Sequence, residues 1–236
     1  SLKPDLIFSG FDIGANFAAA VVGAHMNIHV AHLEGGEITG TIDESIRHAT
    51  SKFSHIHFTS NEHATKRLIK MGESTKNIFT VGNPSLDVIK STMFISKKKL
   101  EKEFNIDLEK PLLLVIQHTV TTEINKIDKY FLETINAIKE TNHQSIIISG
   151  NGDAGSQKIK KIIKNSSILN YENLPFIKYI SLLYHSSAII GNSSSGIMEA
   201  PFLHIPTINI GTRQEGRGKT KSILNVKYDK HEIKMA

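Results

Sequence analysis

The chain has 236 residues, enough for one large domain or two modest ones, each with its own core. Apolar content of 39% and charged content of 22% are ordinary for a globular protein, and the absence of cysteine excludes disulfides and thiolate zinc sites. A net charge of +5 admits nucleic acid, a membrane surface or a small anion as partner.

The lysines fall into two local groups, Lys97–Lys99 and Lys158, Lys160, Lys161 and Lys164. Neither is interleaved with aromatics as a single-strand binding groove would be, and the second sits at helical spacing on what reads as a solvated face. No nucleic-acid contact is expected. No apolar run is long enough to span a bilayer, and residues 1–10 read as a buried strand rather than a signal peptide. A cytoplasmic protein without membrane contact is the expectation. The twelve histidines include His55 and His57, which alternate along a strand without carboxylates at ligand spacing; packing, not metal, is the reading.

In chain order, short apolar runs at 6–9, 28–33, 56–59, 78–81, 112–116, 145–149, 188–190 and 207–210 predict strands. Several are unbroken Ile, Val, Leu or Phe, as in parallel strands covered on both faces. Amphipathic stretches at 44–53, 61–71, 123–140, 157–164 and 176–185 predict helices between them. This βα alternation predicts doubly wound sheets with right-handed crossovers. Residues 83–110 break the rhythm: Asn83-Pro84 is a turn signal, 97–107 is charged, and Pro111 opens a new strand. The expected organisation is therefore two Rossmann-like units, 1–100 and 101–236, facing each other across a cleft, with the boundary near residue 100 acting as a hinge. The first unit, with about four strands and an opening strand that would sit mid-sheet, reads as truncated at its N-terminus.

Five segments carry chemistry. Gly191-Asn192-Ser193-Ser194-Ser195-Gly196 follows a strand and reads as opening a helix, where small residues, hydroxyls and a helix N-terminus suit a phosphate. Glu199, one turn on from Ser195, is placed to take ribose hydroxyls. The bland alternative is a polar turn with Ser193 as N-cap. Gly211-Thr212-Arg213-Gln214-Glu215-Gly216-Arg217 puts two arginines in a Gly-rich loop, which suits a diphosphate. Asp12, Glu34 and Asp43 all fall near strand C-termini of the first unit, with Arg47 one turn beyond Asp43. Grouped carboxylates raise one another's pKa and suit general acid and base work, although Asp43 also reads as a helix cap. His118 ends a strand of the second unit, placed for a phosphate or a proton. Gly150-Asn151-Gly152-Asp153 reads as a ligand cradle or a simple turn.

Taken together, these segments resemble the UDP-N-acetylglucosamine 2-epimerase family, and within it the hydrolysing branch that includes the epimerase half of the bifunctional epimerase/kinase of sialic acid synthesis. The resemblance rests on Lys3-Pro4-Asp5, His32-Leu33-Glu34-Gly35-Gly36-Glu37, the run from Gly40 to Ala49, Gly82-Asn83-Pro84-Ser85, Gln117-His118, Asp153-Ala154-Gly155-Ser156, Gly191-Asn192-Ser193-Ser194 and Gly211-Thr212-Arg213-Gln214. It implies a GT-B-like fold, no cofactor or metal, a homodimer or homotetramer, and a two-step reaction. UDP is eliminated across C1–C2 to give a 2-acetamidoglucal, and water then adds. By position, Asp12, Glu34, Asp43 and His118 match the family's acid, base and proton-handling residues. Arg47 matches its active-site arginine, Ser193, Ser194, Glu199 and Arg213 its UDP contacts, and Asn151 a substrate contact. Ile13 stands where the family often has arginine, and Thr119 follows His118 where proline is usual. A GT-B glycosyltransferase and a non-catalytic UDP-sugar binder remain as alternatives. The sugar is open between N-acetylglucosamine and a 2,4-diacetamido-6-deoxy relative.

Overall fold

A computed structural model describes residues 3–10, 12–149, 155–218 and 220–236. In order, the elements are β1 (Leu6–Ser9), α1 (Gly14–His25), β2 (His29–Leu33), α2 (Ile42–Lys52), β3 (Ile56–Thr59), α3 (Glu62–Lys70), β4 (Ile78–Thr80), α4 (Pro84–Ser91) and α5 (Lys97–Phe104). There follow β5 (Leu112–Ile116), α6 (Ile127–Thr141), β6 (Gln144–Ile148), α7 (Ser156–Ser166), β7 (Leu169–Tyr171), α8 (Phe176–His185), β8 (Ala188–Gly191), α9 (Glu199–Phe202), β9 (Thr207–Ile210), β10 (Ile223–Val226) and α10 (Lys230–Met235). The chain forms two compact units: Ser1–Asp87 with Glu215–Arg217, and Val88–Gln214 with Gly218–Ala236. The division falls before α5, because residues beyond Asp87 pack with the second unit. There the Ile95 amide donates to Ser181 Oγ at 2.9 Å and Phe94 stacks on Tyr184.

The first unit is a parallel sheet in the order β1-β2-β3-β4. Each strand is added on the same side of the last, so right-handed crossovers bring successive helices to the same face. Gly23 of α1 lies against Ile7 and Val30, and Ser51 of α2 meets His32 at 3.0 Å. On the opposite face Phe8, Phe58 and Phe79 form an aromatic row with centroids 5.9 and 5.8 Å apart. Phe8 is 58% exposed and Phe79 48%. Among the described residues β1 is the outermost strand of this sheet, and the face carrying the aromatic row is open.

The second unit has six parallel strands in the order β10-β9-β8-β5-β6-β7. The chain starts at β5, winds out to β6 and β7, returns beside β5 as β8, and winds out again to β9 and β10. Two winding directions put helices on both faces. Val115 and Ile147 pack under Phe131, Ile135 and Ile138 of α6 and Ile159 and Ile163 of α7. Leu113, Ile190 and Ile210 pack with Ala137 of α6 and Ile233 of α10. On the other side α8 lies on β5. All five residues of β5 are buried, as its unbroken Leu-Leu-Leu-Val-Ile run predicts. Among the described residues no helix is long and apolar enough to cross a membrane.

Candidate active site

The order of the second sheet creates a switch point where β5 and β8 lie side by side and their outgoing connections diverge. In open α/β sheets this crevice, beyond the strand C-termini, is where ligands bind. His118 lies just beyond β5, and Asn192, Ser193 and Ser194 lie just beyond β8. Asn192 is fully buried and ties the two loops together: its Oδ1 accepts from the His118 amide at 2.6 Å, and its Nδ2 donates to the His118 carbonyl at 2.9 Å. The Asn192 carbonyl in turn accepts from Arg213 Nη1 at 3.2 Å and from buried Gln214 Nε2 at 2.8 Å. One residue thus gathers His118, the Ser-rich turn and Arg213. Gly191 makes this possible. Its φ is +133°, and a Cβ there would lie 2.0 Å from the Ile116 carbonyl oxygen of β5.

The Ser-rich turn differs from the sequence expectation in one respect. It opens a 3₁₀ turn over Ser194–Gly196, not a continuous α-helix, and Glu199 begins the separate four-residue α9. The Ser193 side chain accepts from the Ser195 amide at 3.3 Å, so it caps this turn, the bland role foreseen for it. Partial positive charge from a long helix is therefore missing, and the hydroxyls and backbone amides of 193–195 carry the donor capacity. Beneath the turn, burial raises the hydroxyl of Tyr179 of α8 well above the ordinary tyrosine range; neighbouring Ser195 opposes the rise and the charge of Glu199 adds to it. Asn151 lies outside the described residues.

In the first unit the carboxylates do assemble. Asp12 follows β1 and forms an ion pair with Arg47 of α2, which is only 2% exposed. Arg47 Nη1 also donates to the Glu37 carbonyl at 2.8 Å. Burial raises the Asp12 pKa and neighbouring Asp43 adds to the rise, while Arg47 opposes it. Thr41, not Asp43, caps α2, accepting from the Asp43 amide at 3.4 Å. The capping duty read for Asp43 is therefore Thr41's, and the Asp43 carboxylate lies in the first turn. Glu34 leaves β2 with φ +63°, rare for a side chain that is not Gly, Asn or Asp. Its amide donates to the Phe58 carbonyl at 2.8 Å. Burial raises its pKa, Arg217 pulls it down, and Asp12 pushes it up.

Arg213 and Arg217 have different surroundings: 215–217 group with the first unit, where Gly216 packs on Ile38, whereas Arg213 groups with the second. Arg217 feels Arg47, Glu37, Glu34 and Asp12, and its pKa is lowered chiefly by burial. Sequence reading passed over Asn192, Gln214 and Asn83 as site residues. All lay inside quoted motifs, but their amides bond within the chain, a role that spacing does not reveal.

The whole chain, residues 1–236, matches the family model described as UDP-N-acetylglucosamine 2-epimerase. The chain belongs to that family. It is 39% identical over 95% of its length to the Campylobacter jejuni protein named GDP/UDP-N,N'-diacetylbacillosamine 2-epimerase (hydrolyzing), and covers 60% of that protein. It is 36% identical over 98% of its length to UDP-N-acetylglucosamine 2-epimerase of Neisseria meningitidis serogroup B, covering 62% of it. The chain thus spans about three-fifths of the length of these relatives. Among solved structures, a Neisseria meningitidis UDP-GlcNAc 2-epimerase bound to UDP-GlcNAc matches with a TM-score of 0.81 at 20% identity. That match covers 99% of this chain and 67% of the other, and establishes the shared α/β fold.

Proposed function

We propose that this protein is a hydrolysing 2-epimerase that converts a UDP-linked N-acetylhexosamine into UDP and the free C2-inverted sugar, supplying sialic-acid-like sugar synthesis. One observation carries the reading: Asp12 and Glu34, both partly buried, feel one another's charge and lie among the charges of Asp43, Arg47 and Arg217 in the first unit, and burial raises the pKa of both. Such groups suit proton transfer near neutral pH. In this reading one carboxylate takes the C2 proton, the C1–O bond breaks, and its electron pair leaves with UDP. Water then adds to the glycal, its oxygen to C1 and a proton to C2 from the opposite face, so atoms balance as sugar plus UDP. His118 handles protons, and Arg47 holds Asp12 in place. Ser193, Ser194, Glu199 and Arg213 of the second unit hold UDP, and Asn151 contacts the sugar. The enzyme needs no metal or cofactor and works as a homodimer or homotetramer.

The relatives named for diacetylbacillosamine and for N-acetylglucosamine leave two substrates in play. Incubation with UDP-N-acetylglucosamine and UDP-N,N'-diacetylbacillosamine in D₂O, followed by NMR, decides between them. Free manno-configured sugar with deuterium at C2, alongside UDP, is expected from one of the two. A sugar still attached to UDP would replace the hydrolysing reading with a non-hydrolysing one. Release of UDP only with an acceptor sugar would favour a glycosyltransferase, which has no use for a carboxylate cluster on the first unit.

A further inference from the structure

We propose that Asn83 is a positioning residue for Glu34: its side-chain amide, locked in one orientation by Ser85, donates to Glu34 and holds that carboxylate ionised and aimed. The inference rests on the acid/base reading of Glu34. Asn83 Nδ2 donates to Glu34 Oε1 at 3.0 Å. Asn83 Oδ1 accepts from the Ser85 amide at 2.9 Å and from Ser85 Oγ at 2.8 Å. The amide orientation follows from this, not from a choice of placement. A backbone N–H can only donate, so the oxygen of Asn83 must face Ser85 and its NH₂ must face Glu34. Pro84 opens α4 directly after Asn83, so the donor is fixed at the start of a helix, on the first unit's side of the division at Asp87. At the other end Glu34 is equally constrained, with φ +63° and its amide bonded to Phe58. A backbone in this sparsely populated region persists only when its surroundings over-determine it.

Asn83 thus holds one carboxylate oxygen of Glu34. The groups that face Glu34 are Arg217 and Arg47, which favour its charged form, and Asp12 and Glu37, which oppose it. A neutral donor that favours the charged form adds to the arginines without adding a charge.

Asn83→Asp separates this role from helix capping. The new carboxylate still accepts from Ser85, so the start of α4 keeps its cap, but it cannot donate to Glu34 and adds a like charge beside it. We expect the Glu34 titration, followed through its ¹³C-labelled side-chain carboxyl by NMR, to move up by about one pH unit or more, as neighbouring like charge and a lost donor both dictate. Turnover at pH 7 is expected to fall about 10–100-fold, a part of the general-base contribution, with its acidic limb shifted to higher pH and UDP affinity unchanged. Ser85→Ala leaves the backbone amide in place and is expected to keep both titration and turnover. Glu34→Gln is the comparator. If Glu34→Gln is inactive while Asn83→Asp keeps the wild-type titration and pH profile, the positioning role is overturned and the function stands. If Glu34→Gln turns over normally, both fall.

Discussion

At the scale of single residues, the site is organised by amides that sequence reading passes over. Asn192 spends all three of its side-chain and carbonyl groups on joining His118 to Arg213 and Gln214. This redundancy makes Arg213 testable. In Arg213→Ala the Asn192 carbonyl keeps Gln214 as donor, so the turn should hold its shape while a guanidinium is lost from the proposed diphosphate site. UDP binding should weaken by roughly 1.5–3 kcal/mol, the range for a hydrogen bond to a charged group. Calorimetry showing unchanged UDP affinity would remove Arg213 from the proposed diphosphate site. Arg217, four residues on, should behave differently, because its surroundings are carboxylates of the first unit.

Elements set where those residues lie. β5 and β8 approach so closely at their C-terminal ends that the last residue of β8 cannot carry a Cβ. Gly191→Ala combines a left-handed φ with a contact to backbone, which cannot swing aside as a side-chain tip would. It should cost roughly 2–4 kcal/mol, the upper part of the range for single substitutions. The urea midpoint reads this directly; a shift too small to measure would mean that the β5–β8 crossing relaxes freely. Gly196→Ala, whose Cβ would meet the Thr207 methyl, offers a comparison in which a side chain can give way.

For the molecule as a whole, the first unit carries a pH liability in its core. His32 is buried and bonded to Ser51, and burial, with His57 and Arg47 nearby, lowers its pKa to about 3. The unfolded chain therefore takes up this proton first on acidification. Stability is complete above the ordinary histidine range and drains away as pH falls from about 6.5 towards 3. His57 is lowered in the same sense, with Glu73 opposing. Between pH 7.5 and 5.5 the protein should lose about 1 kcal/mol through His32, by linkage of the two protonation states. Denaturant unfolding at both pH values should show the loss, and His32→Gln should shrink it. Equal stability of the wild type at the two pH values would show that His32 is not the group that couples folding to acid.

The sequence by itself determined the βα alternation, because strand and helix periods are local and the buried strands of a parallel sheet are unbroken apolar runs, as in Leu112–Ile116. It was less able to find β7 and β10, whose few residues mix apolar and polar side chains, or α1, whose Gly14–His25 run has no polar face. It brought Asp12, Glu34, Asp43 and Arg47 to one set of strand ends, because each follows a strand or opens the helix after it. Only the tertiary structure decided the strand order, and with it the β5–β8 switch point. It alone sent Arg213 and Arg217 to different surroundings. A loop's residues are neighbours in sequence whichever way they point; which unit each side chain joins is fixed by packing between segments far apart in the chain.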